Sequence, residues 1–224
     1  MTHRFELILA LVFVTLFAGF CFWLQPGRAL TRSEVDQYIA AYDRTWQMPA
    51  DEKARFMANM RAWGEADDGN PVYMINLMGY YDQLKQIPGL PPFEGTPAQA
   101  NELYEDSAIP LLLELGAYPL VASEAQGVQS PDRVELLGEA GNDNLQRILV
   151  VRYPNRRAFF KLLSDPGYLE VMPYKFASMN TTLVPGNGTL VVPELRFALG
   201  SLLLSLFLLI GWVRSARRPR HPAG

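Results

Sequence analysis

The sequence predicts an α+β domain carried between two helices that cross a membrane, and three observations point there. Short runs rich in β-formers alternate with stretches of helical spacing across the middle of the chain. Both ends of the 224-residue chain are apolar blocks free of charge, at 7–24 and 197–213. Between the blocks the chain is acidic: 14 basic residues stand against 22 acidic ones from Gln25 to Glu194, a net charge of −8, while the whole chain carries −3.

The first block, closed by Trp23, approaches the 20 or so residues that a bilayer needs, and a cleaved signal peptide is its alternative reading. The second is 17 residues long, offers only Ser201 and Ser205 as polar groups, and runs into Arg214, Arg217, Arg218 and Arg220. An arginine cluster beside a span stays on the cytoplasmic side. Two spans then give cytoplasmic termini and a central domain outside a bacterial inner membrane, in the periplasm. Arg28 and Arg32, after the first span, pull the other way with fewer charges.

From this the chain divides into a transmembrane helix at 1–24, a helical lead-in at 25–70, an α+β domain at 71–194, a second transmembrane helix at 195–213 and a basic tail at 214–224. In the lead-in, Thr31-Arg32-Ser33-Glu34 has the form of a capping box before Val35, Ile39 and Tyr42 at helical spacing. Phe56, Met60 and Trp63 mark one side of a second helix, predicted at 50–64.

The domain opens on Pro71-Val72-Tyr73-Met74-Ile75-Asn76-Leu77-Met78, entered from the turn Asp67-Asp68-Gly69-Asn70 and left through Gly79. It reads as a strand. Residues 79–96 follow, with several prolines and glycines and no periodicity, which suits either a binding loop or a surface insertion. Thr96-Pro97 is a cap with proline at the first helical position; the helix should reach Leu115 and stop at Gly116, with a kink or break near Ser107 because of Pro110. Strands are predicted at 118–125 and 145–153, with a short strand at 132–137 and a turn at 142–144 between them. Helices follow from 156 to 163 and from 168 to 179, and strands at 181–184 and 189–192 close the sheet. Strand, helix, strand, strand, helix, strand is the ferredoxin-like βαββαβ order, an antiparallel sheet with helices on one face. The strands are apolar on both faces, so the second face also needs cover, which a second copy of the chain would supply.

Absences narrow the chemistry. Cys21 is the single cysteine and the histidines are His3 and His221. The domain therefore has no thiolate nucleophile, no histidine ligand for haem or metal, and no Ser-His-Asp triad. We expect no cofactor and no metal. The acidic middle argues against nucleic acid as a partner.

Three stretches carry a resemblance: Val72-Tyr73-Met74-Ile75-Asn76-Leu77-Met78, the strand-then-helix run from Ile148 to Phe159, and Leu163-Ser164-Asp165-Pro166-Gly167-Tyr168. Together they are similar to the uncharacterised family numbered 1330 among the domains of unknown function, in the dimeric α/β-barrel superfamily. The resemblance spans 71–192. It implies a ferredoxin-like fold and a homodimer whose sheets close into a barrel. Superfamily relatives include cofactor-free monooxygenases, haem enzymes and stress-related dimers, so it implies no one reaction.

Asn76 is the sharpest candidate for a ligand-binding residue, because a buried strand amide must satisfy both its oxygen and its NH2; a bond to neighbouring protein groups is the alternative. Its alternation places it with Val72, Met74 and Met78, without saying which face lines a cavity. Arg152 offers a fork for an anionic group or for a carboxylate of the protein. Tyr73, Tyr104 and Tyr168 offer hydroxyls to a polar cavity or edges to a core. Asp165 is a turn carboxylate or an acid–base group, and Asp67-Asp68-Gly69-Asn70 a turn rather than a calcium loop. The reading is a membrane-anchored module that binds a small ligand or partner. A cofactor-free enzyme and a structural subunit of a membrane complex are the alternatives.

Overall fold

A computed structural model describes residues 2–126, 145–188, 191, 193 and 195–216. They fall into two units, 1–187 and 188–224. The first holds α1 (Thr2–Trp23), α2 (Arg32–Thr45), α3 (Ala50–Glu65), β1 (Val72–Tyr80), α4 (Pro97–Glu114), β2 (Tyr118–Glu124), β3 (Arg147–Tyr153), α5 (Arg156–Ser164), α6 (Pro166–Ser178) and β4 (Met179–Gly186). The second holds α7 (Leu195–Ala216). The described residues thus make an α+β fold of seven helices and one four-stranded antiparallel sheet in the order β2-β3-β1-β4.

β1 lies inside the sheet because both its edges are paired: Met74 faces Val151 of β3 on one side and Pro185 of β4 on the other. Its residues alternate between the two faces. Val72, Met74, Asn76 and Met78 are buried beneath the helices, and Tyr73, Ile75 and Leu77 lie on the opposite face, half-buried. That second face carries an apolar row across all four strands, Val184–Ile75–Val150–Val121, with Val184 and Val121 42% and 49% exposed.

Local chemistry sets the helix ends. Thr31 and Thr96 each accept a bond from the backbone of the third helical residue, and Glu34 and Gln99 bond back, so both starts are capping boxes. Asp165 Oδ1 accepts from Gly167 N and Tyr168 N and so caps α6. The turn before β1 is built by Asp67 and Asp68, whose carboxylates accept from Gly69 N and Asn70 N. Gly69 has φ +75°, and a Cβ there would stand 2.3 Å from the Gly27 carbonyl oxygen, so only glycine fits.

The lead-in belongs to the same core as the sheet. Tyr42 Oη donates to Phe160 O at 2.7 Å and Trp46 Nε1 to Leu163 O at 3.3 Å, tying α2 and its end to α5. The Phe160 ring, fully buried, meets Tyr38, Tyr42 and Trp63. Glu34 gathers Arg28 and Arg157, which hold its carboxyl well below the usual carboxylate range; Arg157 has the larger effect. At the other end of the lead-in, Trp23 Nε1 donates to Leu113 O at 3.2 Å, which joins the end of α1 to that of α4. Between Arg4 and Trp23, and again between Leu195 and Arg214, the helices are long and apolar enough to cross a membrane.

Some predicted boundaries move. Gly79 does not end β1; the strand continues to Tyr80, because Gly79 and Tyr80 still pair with Asn180 and Met179 of β4. The irregular segment therefore begins at Tyr81. Pro110 does not interrupt α4 near Ser107. The bond it cannot donate is lost, but Ala108 and Leu112 on either side are buried in the core, and that packing keeps the helix continuous. β4 begins earlier than predicted, at Met179, with no residue between it and α6. This joint is buried, and the irregular segment after β1 is bonded to the end of α6: Tyr81 N donates to Ser178 O and Lys85 N to Ala177 O. The strand predicted at 132–137 and the turn at 142–144 lie outside the described residues, as does most of 189–192.

Candidate ligand cavity

A cavity of about 260 Å3 lies between the sheet and the helices. Its walls are largely apolar: Met74, Leu149 and Val151 from the sheet, Ala108 and Leu112 from α4, Phe159 and Leu163 from α5. These are the inward residues of β1 and β3, placed by strand alternation, and the apolar stripes of the helices above them. The lead-in closes one side with Trp46, Met48 and Phe56.

Polar groups gather in one part of this wall. Lys175 of α6 is 7% exposed, and its Nζ donates to Asn76 Oδ1 at 3.1 Å. Asn76 spends both amide hydrogens on backbone carbonyls, Met74 O at 3.2 Å and Leu149 O at 3.1 Å. Its oxygen is thereby held toward Lys175. No carboxylate among the described residues forms an ion pair with Lys175. Burial lowers its pKa to about 8; Glu105 acts to raise it and Arg147 to lower it further. Glu105 is paired with Arg147 at 2.6 Å and accepts from Asn101 Nδ2 at 3.1 Å. Two cations and one carboxylate leave this end of the cavity with a net positive charge when Lys175 is protonated.

The Tyr104 and Tyr168 hydroxyls meet at 3.2 Å in the same wall, and the Lys175 ammonium sits 5.2 Å from the centre of the Tyr104 ring. Burial raises the pKa of both tyrosines, so they remain neutral hydroxyls in ordinary conditions. Thr181 Oγ1 and Arg147 Nε also lie in this wall, buried and without a hydrogen-bond partner. Buried polar atoms are nearly always paired, so two orphans in one cavity mark places where an incoming molecule gains bonds.

Of the five residues singled out from the sequence, the structure brings three together here: Asn76, Tyr104 and Tyr168. Tyr73 and Arg152 are elsewhere. They pair across β1 and β3 on the opposite face of the sheet, next to Tyr118, over whose ring the Arg152 guanidinium lies at 5.7 Å. The reason is period two: both are out of phase with Asn76 and its partner Leu149. Asp165 is a helix cap rather than a cavity group. Lys175, Glu105 and Arg147 were not singled out. A signal for Lys175 existed, since it falls on the stripe Tyr168, Met172, Lys175, Met179, a lone charge at helical spacing among apolar residues. Glu105 and Arg147 are 42 positions apart, and nothing local pairs them.

No family model matches the chain, and no curated protein does. Among solved structures, a protein of unknown function from Rhodopseudomonas palustris aligns at 21% identity and a TM-score of 0.48, over 66% of this chain and 97% of that one. SnoaB, a cofactor-independent oxygenase from Streptomyces nogalater, aligns at 15% identity and a TM-score of 0.35, over 56% of this chain and 99% of its own.

Proposed function

We propose that this chain is a membrane-anchored binding protein whose ferredoxin-like domain holds a small amphipathic molecule, with the acidic or electron-rich oxygen of that molecule on Lys175. One observation carries the reading: an ammonium group buried in an apolar cavity, oriented by Asn76 and, among the described residues, without a carboxylate of its own. A buried charge of this kind is costly unless something pairs with it. An anionic ligand head supplies the pair, and the apolar walls take its body. Asn76, Tyr104 and Tyr168 are then ligand-binding residues; Tyr73 and Arg152 belong to the outer face.

In this reading both apolar helices cross the cytoplasmic membrane, the arginines after α7 keep the termini inside, and the domain stands on the periplasmic side. The apolar row on the outer sheet face is covered by a second copy of the chain, as the resemblance to the dimeric α/β-barrel superfamily implies. The cofactor-free enzyme reading has one observation in its favour. A lysine with a pKa near 8 exchanges its proton close to neutral pH, beside two tyrosine hydroxyls, as an acid–base group must.

The test is a matched pair of probes, hexanoate and hexanol, titrated into the full chain in lipid nanodiscs. At pH 7, with Lys175 protonated, hexanoate should bind about tenfold or more tightly than hexanol, since a hydrogen bond to a charged group contributes about 1.5–3 kcal/mol. The preference should fade above pH 9 and vanish in Lys175→Met. Equal binding of the two probes at pH 7, or binding of neither, would overturn the proposal.

A further inference from the structure

A second, larger cleft of about 1170 Å3 lies beside the inner cavity. Its roof is the irregular segment after β1, with Tyr81, Ile87, Pro88 and Pro91, and its floor includes Leu169 and Pro173 of α6. The roof is held down where it starts by the bonds of Tyr81 N and Lys85 N to the end of α6, and Lys85 Nζ sits 3.6 Å from the centre of the Tyr81 ring. The two spaces have four wall residues in common: Trp46, Met48, Phe176 and Thr181.

Three of the four are apolar. The Trp46 and Phe176 rings meet edge to face at 6.1 Å, and Met48 is flexible enough to fill or vacate the gap beside them. The fourth is Thr181, whose buried hydroxyl has no partner. Walls of this kind suit a hydrocarbon chain and give bulk water little to bond to. Their one unpartnered polar side-chain atom awaits an oxygen or hydroxyl part-way along a chain.

We infer that inner cavity and outer cleft form one binding channel, and that its ligand is an elongated acyl-type amphiphile. The carboxylate sits on Lys175, the chain passes beside the touching Trp46 and Phe176 rings, along Met48 and Thr181, and the tail lies under the segment 81–91. A polar substituent on the chain bonds Thr181. This rests on the reading of Lys175 as the head-group anchor and adds the class of molecule. The inner cavity has less than a quarter of the volume of the outer cleft, so a ligand confined to it uses the smaller part of the available space.

The experiment is a series of straight-chain carboxylates from hexanoate to tetradecanoate, titrated at measured free concentration into the full chain in nanodiscs. Backbone hydrogen exchange of residues 82–90 is followed in parallel. Burying one methylene is equivalent to about fourfold in affinity. A rise of that order should persist along the whole series, and tetradecanoate, but not hexanoate, should slow exchange in 82–90. If hexanoate binds but affinity levels off at once and 82–90 exchanges alike with every ligand, the channel is refuted and the Lys175 anchor stands. If no carboxylate of any length binds, both fall together.

Discussion

Lys175 makes the stability of this protein depend on alkaline pH in a way that can be worked out beforehand. Its pKa is about 8 in the folded chain and about 10.4 in an unfolded one. Below pH 8 both states hold the proton and stability is flat with respect to this group. Above pH 8 the folded state releases the proton while the unfolded state keeps it. The unfolded state then binds more protons, so stability rises with pH. At about 1.4 kcal/mol per pH unit the full gain is on the order of 3 kcal/mol. The upper part of the window is clipped near pH 10, because Tyr104, Tyr153 and Tyr168 resist ionisation when buried and so favour unfolding above their ordinary pKa. Urea titration of the detergent-solubilised full chain, followed by the fluorescence of Trp46 and Trp63, should therefore show rising stability from pH 8 to 10. In Lys175→Met the rise should disappear. At pH 7 the variant escapes the penalty of the buried charge but leaves Asn76 Oδ1 without its partner, a loss of about 1–3 kcal/mol. The two changes oppose each other, so its stability should lie within about 2 kcal/mol of the original. A flat profile in the unaltered chain, or the same rise in Lys175→Met, would refute the reasoning.

Phe160→Ala should cost about 3–5 kcal/mol in the same titration, because a fully buried ring packed on three aromatic neighbours leaves a cavity. Gly64→Ala should destabilise by about 1–3 kcal/mol despite the better helix propensity of alanine, since the new Cβ would stand 2.8 Å from Phe160 Cζ and 3.0 Å from Val35 Cγ2. Glu34→Gln should flatten the acid limb of the stability profile. The Glu34 carboxyl is held low by Arg157 and Arg28, so its stabilisation is complete above the ordinary carboxylate pKa and is lost as pH falls toward the folded value. Comparing melting temperatures at pH 3 and pH 6 would show a smaller difference in the variant than in the unaltered chain.

Much of the fold was legible because its signals are local. Thr31 and Thr96 announce their helices within four residues, and the apolar run after Asn70 announces β1. The alternation that groups Asn76 with Met74 and Met78 is equally local. Which of the two groups faces the helices was not legible, since Tyr73, Ile75 and Leu77 are as apolar as their counterparts. That choice is made by tertiary packing, and it sent Tyr73 and Arg152 to the outer face. The charged part of the cavity was hidden for a related reason. Arg147 meets Glu105, and Lys175 meets Asn76, only when α4 and α6 lie down on the sheet. Pro110 misled in the opposite direction, its local signal for a break being overridden by the burial of Ala108 and Leu112.

The direct junction of α6 and β4 has a mechanical consequence. Lys175 and Phe176 precede the joint by a few residues, Thr181 follows it, and Ser178 and Met179 at the joint are buried. There is no slack in which a displacement of the helix can be absorbed. Among the described residues β4 is also an edge strand, paired only to β1. A push on the helix from inside the cavity is thus a lever on the rim of the sheet, and occupancy inside becomes strain at an open hydrogen-bonding edge.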